Sequence, residues 1–366
     1  MNKKNIAKII TFPVLLGITL FCLDSFFFDK AGNKMTENTL TNYRLEKEDT
    51  LDLTFIGSST VWQGIIPTQF YKETNLTCRT IAKAPFHAGL ITDSLQYVFK
   101  KQENTRFIYI DLVPFFYLND ENINAFIKDF YFSFPEGSKE RRKLAEKYSF
   151  LSKYEKKDYN LDNNLFKNHN DYRRDDFWAG FGMDGTDYYK GFNFQNITKE
   201  CYKLCRTDTS EKDLATINPD GFRYLNDLLS FADKHTETKF IFARTARQLC
   251  KAEEANLHTG LMEWADKYIT AERIKNNPEA RNDYIVKDFA LDADEIGIDE
   301  KTDQRDEGHL NIKGAKKFTK YLANYFKTNF DLSGIKHSKE VTDNFDEAYR
   351  KTEEHYDYLI ETGLHY

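Results

Sequence analysis

LDLTFIGSST, residues 51–60, is a short apolar run that ends in a glycine and two serines. Apolar and aromatic residues bounded by a small polar cluster read as a strand over 51–56. Gly57-Ser58-Ser59-Thr60 can then turn from that strand into a helix, because serine and threonine favour helix starts. Working outward, LTCRTI (76–81) and FIYIDLV (107–113) read as two more strands. The second is almost continuously apolar and closed by Pro114, as a strand covered on both faces is. Between them Leu90, Ile91, Leu95 and Val98 fall close to helical spacing and predict a helix over 90–101.

The same rhythm returns later in the chain. A helix is expected over 220–235 after Asn218-Pro219, a strand over 239–243, a helix over 253–270 and a weak strand over 284–286. Ile312, Ala315, Phe318, Leu322, Tyr325 and Phe326 share one stripe, which predicts an amphipathic helix over 312–326. Strands separated by helices indicate an α/β fold built on a doubly wound parallel sheet. Residues 117–216 break the alternation and are expected to form a helical and irregular insertion, with one amphipathic helix over 139–148. The end of the chain predicts a further charged helix that stops near Gly363.

The chain has 366 residues, 40% of them hydrophobic and 15% aromatic, with only 7 Pro and 17 Gly. That supports a large buried core and excludes disordered and collagen-like classes. A net charge of −6 argues against a general nucleic-acid binder, since phosphate neutralisation needs a basic face. The beginning of the chain is the exception. Lys3, Lys4 and Lys8 precede an uncharged run from Ile9 to Leu23, and Phe26, Phe27 and Phe28 follow. The apolar segment then comes close to the about 20 residues a spanning helix needs. No small-x-small cleavage site follows it, and the bulky Phe21 before Cys22 does not fit a lipoprotein signal. We therefore expect a single-pass membrane anchor over 1–30, with its lysine end in the cytoplasm. A polar tether over 31–48 and an extracytoplasmic remainder follow from it.

Five cysteines show neither a CxxC pair nor zinc-ligand spacing, Cys201 and Cys205 being four apart. Structural thiols are expected, with a disulfide among Cys78, Cys201, Cys205 and Cys250 left open. No GxGxxG, P-loop, HExxH or EF-hand pattern is present, so no cofactor and no metal are expected.

Two segments carry chemistry. Ser58 and Ser59 stand where the first strand ends, and in a parallel α/β sheet the carboxyl ends of strands form the ligand crevice. A helix N-terminus there favours developing negative charge. The same turn also serves as an ordinary strand-to-helix connection with a capping serine. The second segment is Asp306-Glu307-Gly308-His309-Leu310-Asn311. A hydroxyl needs a base to become a nucleophile, and histidine suits that task near neutral pH. The imidazole in turn needs a carboxylate on its other nitrogen, which Asp306 can provide; the bland reading is a solvated loop. Asp111 and Arg244 end strands that face the same crevice. Asp111 is either a site residue or a loop cap. Arg244 either holds an anionic substrate or makes a structural ion pair. His87 and His258 are lone histidines, read as packing or surface residues. Trp178, Phe181, Tyr188, Tyr189 and Phe192 either stack on sugars, lie on a membrane, or form a satellite core, which is the favoured reading.

Together the two segments resemble the SGNH, or GDSL-like, hydrolase superfamily. There the nucleophile lies in a Gly-Asp-Ser block after the first strand, and an Asp-x-x-His block precedes the last helix. Gly57-Ser58-Ser59 and Asp306-x-x-His309 match these blocks in order and context, over about 50–118 and 217–328. Ser58 stands in the usual Asp position. With DEGHLNIKGAKKFTKYLANYF (306–326), it is similar to the membrane-anchored branch of teichoic-acid D-alanine transfer proteins and surface-polysaccharide O-acyltransferases. The resemblance implies a flavodoxin-like catalytic domain over 49–328, followed by a helical tail over 329–366. It implies Ser59 as nucleophile, His309 as general base and Asp306 as its orienter. It further implies acyl transfer to a cell-surface polysaccharide or teichoic-acid-like polymer, with a membrane-bound O-acyltransferase as partner. A surface esterase that removes acetyl groups and a catalytically silent adaptor remain alternatives. The family's usual oxyanion donors, a Gly and an Asn in middle blocks, have no counterpart in Ala82-Lys83-Ala84-Pro85 or Asp111-Leu112-Val113-Pro114. Ser58, Asp111 and Arg244 therefore stand as substrate or oxyanion candidates beside the Ser59 N–H.

Overall fold

The structure is a computed structural model. It describes residues 39–44, 46–83, 86–116, 138–151, 188–199, 217–247, 252–277, 279–306 and 308–363, and single positions at 15, 19, 127, 130, 131, 133 and 134. Five strands form one sheet: β1 (Leu53–Gly57), β2 (Cys78–Ala82), β3 (Phe107–Asp111), β4 (Lys239–Arg244) and β5 (Ile285–Asp288). Every pairing is parallel, and the order is β2-β1-β3-β4-β5. This is one of the two common orders of open α/β sheets. All residues of β1, β2 and β3 are buried, as the mostly apolar runs of β1 and β3 demand, and β2 buries Arg79 and Thr80 with them.

Between β1 and β2 lie two short helices, α1 (Ser59–Gly64) and α2 (Pro67–Thr74). The helix α3 (Gly89–Lys101) leads to β3, and α4 (Lys139–Lys147) follows it. Next, α5 (Pro219–Ala232) leads to β4 and α6 (Ala252–Lys267) to β5. Helices cover both faces. On one, Phe55 of β1 meets Phe70 of α2 at 5.3 Å and Phe107 of β3 meets Phe326 at 5.4 Å. On the other, Phe240 of β4 stacks on Phe99 of α3 at 6.2 Å, and Phe99 meets Phe231 of α5 at 5.6 Å. Alternate strand residues thus supply aromatic rings to opposite helix layers.

After β5 the chain forms a small antiparallel hairpin, β6 (Gln304–Asp306) and β7 (His309–Leu310). Two long helices complete it, α7 (Ile312–Asn329), which supplies Phe326, and α8 (Lys339–Thr362), capped by Gly363 at φ +64°. The tail is part of the body. Phe345, Ala348, Thr352 and Leu359 form its buried stripe, with Phe345 on Tyr71 at 5.0 Å and the Thr352 hydroxyl 3.0 Å from that of Thr68.

The expected tether departs from the expectation at its end. Thr39–Tyr43 is a helical turn with Leu40 and Tyr43 buried. Glu46 is ion-paired to Arg79 (2.5 Å) and Lys190 (2.8 Å). Apolar burial and a buried charge cluster hold this stretch on the sheet, so residues 39–48 belong to the folded body, residue 45 lying outside the described residues. The expected anchor over 1–30 lies outside the described residues, apart from Leu15 and Thr19. Among the described residues no helix is long and apolar enough to cross a membrane. Within the insertion, α4 forms as expected and is started by Ser138, whose hydroxyl accepts the Arg141 N–H at 3.3 Å. Most of the rest of 117–216 lies outside the described residues.

Candidate active site

Ser59 opens α1 directly after β1, and Asp111, Arg244 and Asp288 each end a strand. The parallel register therefore gathers all four at the carboxyl edge of the sheet. Gly57 makes the serine turn sterically feasible. A Cβ there would lie 2.5 Å from Asp111 Cβ and 2.6 Å from Val61 Cγ2.

Asp111 is fully buried. Its Oδ2 accepts from the Ser58 hydroxyl (2.7 Å), the Thr60 hydroxyl (2.8 Å) and the Ser58 N–H (3.3 Å). Its Oδ1 accepts from the Val113 N–H at 3.1 Å. The carboxylate braces the turn on both sides of Ser59 and leaves Ser59 itself untouched. Ser59 is the partly exposed member of the trio. As the first residue of α1, it has an N–H with no acceptor inside the helix.

The Ser59 hydroxyl meets His309 Nε2 at 2.7 Å, and His309 Nδ1 meets Asp306 Oδ1 at 2.6 Å. Asp306 also accepts the Gly308 N–H at 2.9 Å. Partial burial pushes the Asp306 carboxyl up. The hydrogen bonds from His309 and Gly308, with the His309 and Arg305 charges, outweigh this and hold it below the usual carboxylate range. The chain from serine oxygen to imidazole to carboxylate has the geometry in which a hydroxyl gives up a proton and the resulting imidazolium is stabilised.

The remaining candidates are engaged elsewhere. Ser58 is buried, with its single hydroxyl proton directed at Asp111. Arg244 makes a bidentate pair with Asp288, Nε to Oδ1 at 2.7 Å and Nη2 to Oδ2 at 2.6 Å. Strand register sets Arg244 opposite Asp288, with the arginine buried and the aspartate half-buried. The structural ion pair is thus the reading the geometry supports. His87 is buried, accepts the Gly89 N–H at Nδ1 and packs edge-on against Tyr224; the His258 side chain lies outside the described residues. Phe192 and Tyr189 join Phe194, Ile66, Ile312, Ala315 and Leu359 in a satellite core; Trp178 and Phe181 are outside the described residues. Cys78 is a buried thiol that donates to the Pro67 carbonyl, and burial raises it well above its usual range. The other cysteines are outside the described residues. Among the described residues no cluster of three His, Cys, Asp or Glu side chains is placed to hold a metal.

Three supports were not singled out from the sequence. Thr60 supplies the third donor to Asp111; a threonine just inside a helix start gives no sign of so distant a partner. Arg247 lies with Nη1 3.5 Å from where a Gly308 Cβ would be, so it backs the Asp306–His309 loop. The stretch 188–199, a turn followed by irregular backbone, ties the site together through backbone bonds. The Lys190 carbonyl accepts from Thr80, the Asn193 N–H donates to Trp62, the Gln195 carbonyl accepts from Ile312, and the Lys199 N–H donates to Gln304. Only Asn311, at the foot of α7, left a readable signal, since asparagine before a periodic apolar run marks a helix start.

Compared with protein-family models, curated proteins and solved structures, the chain matches none of them.

Proposed function

We propose that the chain is an SGNH-like serine O-acyltransferase or esterase that acts outside the cytoplasm on a cell-surface polysaccharide or teichoic-acid-like polymer. The observation that carries the reading is the continuous relay Ser59–His309–Asp306, with contacts of 2.7 and 2.6 Å at the carboxyl edge of the sheet. The lysine-flanked apolar run over 1–30 supports the membrane placement, and the motif resemblance supports the substrate class and an O-acyltransferase partner.

In this reading His309 Nε2 takes the Ser59 proton as the oxygen attacks an ester carbonyl. Asp306 holds Nδ1–H and stabilises the imidazolium. The Ser59 N–H donates to the tetrahedral oxyanion, a role whose removal typically costs about 2.7–4 kcal/mol. The imidazolium returns its proton to the departing alkoxide and leaves an acyl-serine. An acceptor hydroxyl, deprotonated in turn by His309, attacks the acyl group and regenerates Ser59. Water in the same position gives hydrolysis. Asp111 keeps the turn rigid through both displacements.

The test uses the full chain in detergent, with a serine-reactive fluorophosphonate and p-nitrophenyl acetate. Labelling and turnover that both vanish in Ser59→Ala and His309→Ala support the reading. Full turnover in both variants overturns it. Release of the acyl group without any polyol or sugar acceptor assigns the esterase rather than the transferase.

A further inference from the structure

We propose that Asn311 is the positioning residue that holds Asp306 and His309 in register, acting through the hairpin that carries them. The inference rests on the reading of Ser59, His309 and Asp306 as a reacting relay.

The hairpin cannot hold its own shape. It consists of three residues against two, with an irregular register between Gln304 and Asp306. Isolated two-stranded pairs are marginal even when longer. Its geometry must come from outside, and Asn311 is where the outside contacts converge. The residue is 1% exposed. Its Oδ1 accepts from Lys313 N–H at 3.0 Å and Gly314 N–H at 3.2 Å, which caps α7. Its Nδ2 donates to the Thr302 carbonyl at 2.8 Å and the Thr198 hydroxyl at 3.1 Å, with the Gln304 carbonyl at 3.4 Å. Its own N–H donates to the Asp303 carbonyl at 3.0 Å.

One side chain therefore joins three pieces. They are the start of a long packed helix, the 302–304 turn that leads into β6 and Asp306, and the 188–199 stretch that reaches back to the nucleophile helix. His309 is two residues before it, so both members of the acid–base pair are referenced to the same fixed point. Capping alone does not explain asparagine here. Aspartate and serine cap about equally well, but neither can present two protons to the carbonyls behind the hairpin.

The decisive variant is Asn311→Ser, made in the full chain in detergent, which keeps a capping oxygen and loses the amide donors. With p-nitrophenyl acetate as probe, kcat is expected to fall about tenfold or more with KM within about twofold of the parent. The rate of fluorophosphonate labelling falls in parallel. Ala323→Gly, which weakens the same helix far from the hairpin, keeps the parent kcat at a temperature where it is folded. If Asn311→Ser does not fold, Asn311→Thr takes its place, since it too keeps a capping hydroxyl and lacks the amide donors. A folded variant with the parent kcat and labelling rate overturns the inference. If Ser59→Ala still labels and turns over at the parent rate, the relay itself is wrong, and that result is distinct from a silent Asn311 variant beside a dead Ser59 variant.

Discussion

The Ser59 hydroxyl and His309 Nε2 lie 2.7 Å apart with 250 positions of chain between them. Neither segment reaches the other alone. Ser59 is set by β1 and the Asp111 brace. His309 is set by a hairpin bonded to the 188–199 stretch, which is itself bonded to Trp62 on α1 and to Thr80 on β2. The short contact is the outcome of a closed loop of hydrogen bonds around the sheet edge.

Residues acting as one relay lose rate together. Ser59→Ala and His309→Ala should each lower kcat for p-nitrophenyl acetate by about 10³-fold or more, and the double variant should be no worse than either. Asp306→Asn should cost about 10²-fold or more with little change in KM, because the base loses its orienting acceptor. Rate losses that multiply in the double variant would show two independent contributions and remove the relay.

Glu46 gives the fold a pH dependence of predictable sign. Burial pushes its carboxyl up, but the Arg79 and Lys190 cations and their hydrogen bonds outweigh that and leave it below the usual range. A group lowered in the folded state stabilises above its unfolded value, about 4.3, and loses that stabilisation as pH falls through the folded value. Glu46→Gln leaves a buried Lys190 ammonium without its counter-ion, so it should cost about 3–5 kcal/mol at neutral pH. Denaturant melts of the two proteins should converge as pH drops below about 4. A gap that stays constant down to the acid transition would contradict the assignment.

Gly57→Ala tests the packing behind Ser59. A methyl 2.5 Å from Asp111 Cβ and 2.6 Å from Val61 Cγ2 must displace backbone or the brace. Overpacking of this kind costs about 1–3 kcal/mol, read as a lower denaturation midpoint. Fluorophosphonate labelling of the folded variant should fall with it, because the displaced atoms aim Ser59. Unchanged labelling would mean that the turn tolerates movement and that Asp111 does not aim it.

How legible each part was follows from where its stabilisation comes from. The strands at 53–57, 107–111 and 239–244 were readable because burial on both faces writes a mostly apolar run, which the buried Arg79 and Thr80 interrupt at 78–82. β5 was faint because all four of its residues are half-buried and two are Lys287 and Asp288. The start of α1 was read from Gly57-Ser58-Ser59-Thr60, but its extent and the whole of α2 were not, because six and eight residues are too few for a period to show. The β6–β7 hairpin was invisible for a different reason. Gln304, Arg305 and Asp306 have no strand signature, and Asn311, Thr198 and Lys199 hold them from outside. The two ends of the relay could be found because each abuts an element boundary. Supports such as Thr60 could not, since its hydrogen bond to Asp111 joins the start of a helix to a strand 51 residues away.

Arg244 offers the sharpest separation of a structural from a binding role. Its guanidinium is buried and bidentate on Asp288, whose Oδ1 also accepts the Ala290 N–H at 3.1 Å. Arg244→Met strands a buried carboxylate and should destabilise by about 3–5 kcal/mol. Asp288→Asn added to it removes that charge, keeps an oxygen for Ala290, and should recover much of the loss. Throughout, kcat and KM of the folded protein for p-nitrophenyl acetate should stay within about twofold. Were Arg244 a substrate anchor, Arg244→Met would instead raise KM for an anionic ester, and Asp288→Asn would bring no recovery of stability. Thermal melts of the parent and the two variants, read beside their kinetics with a neutral and an anionic nitrophenyl ester, decide between the two.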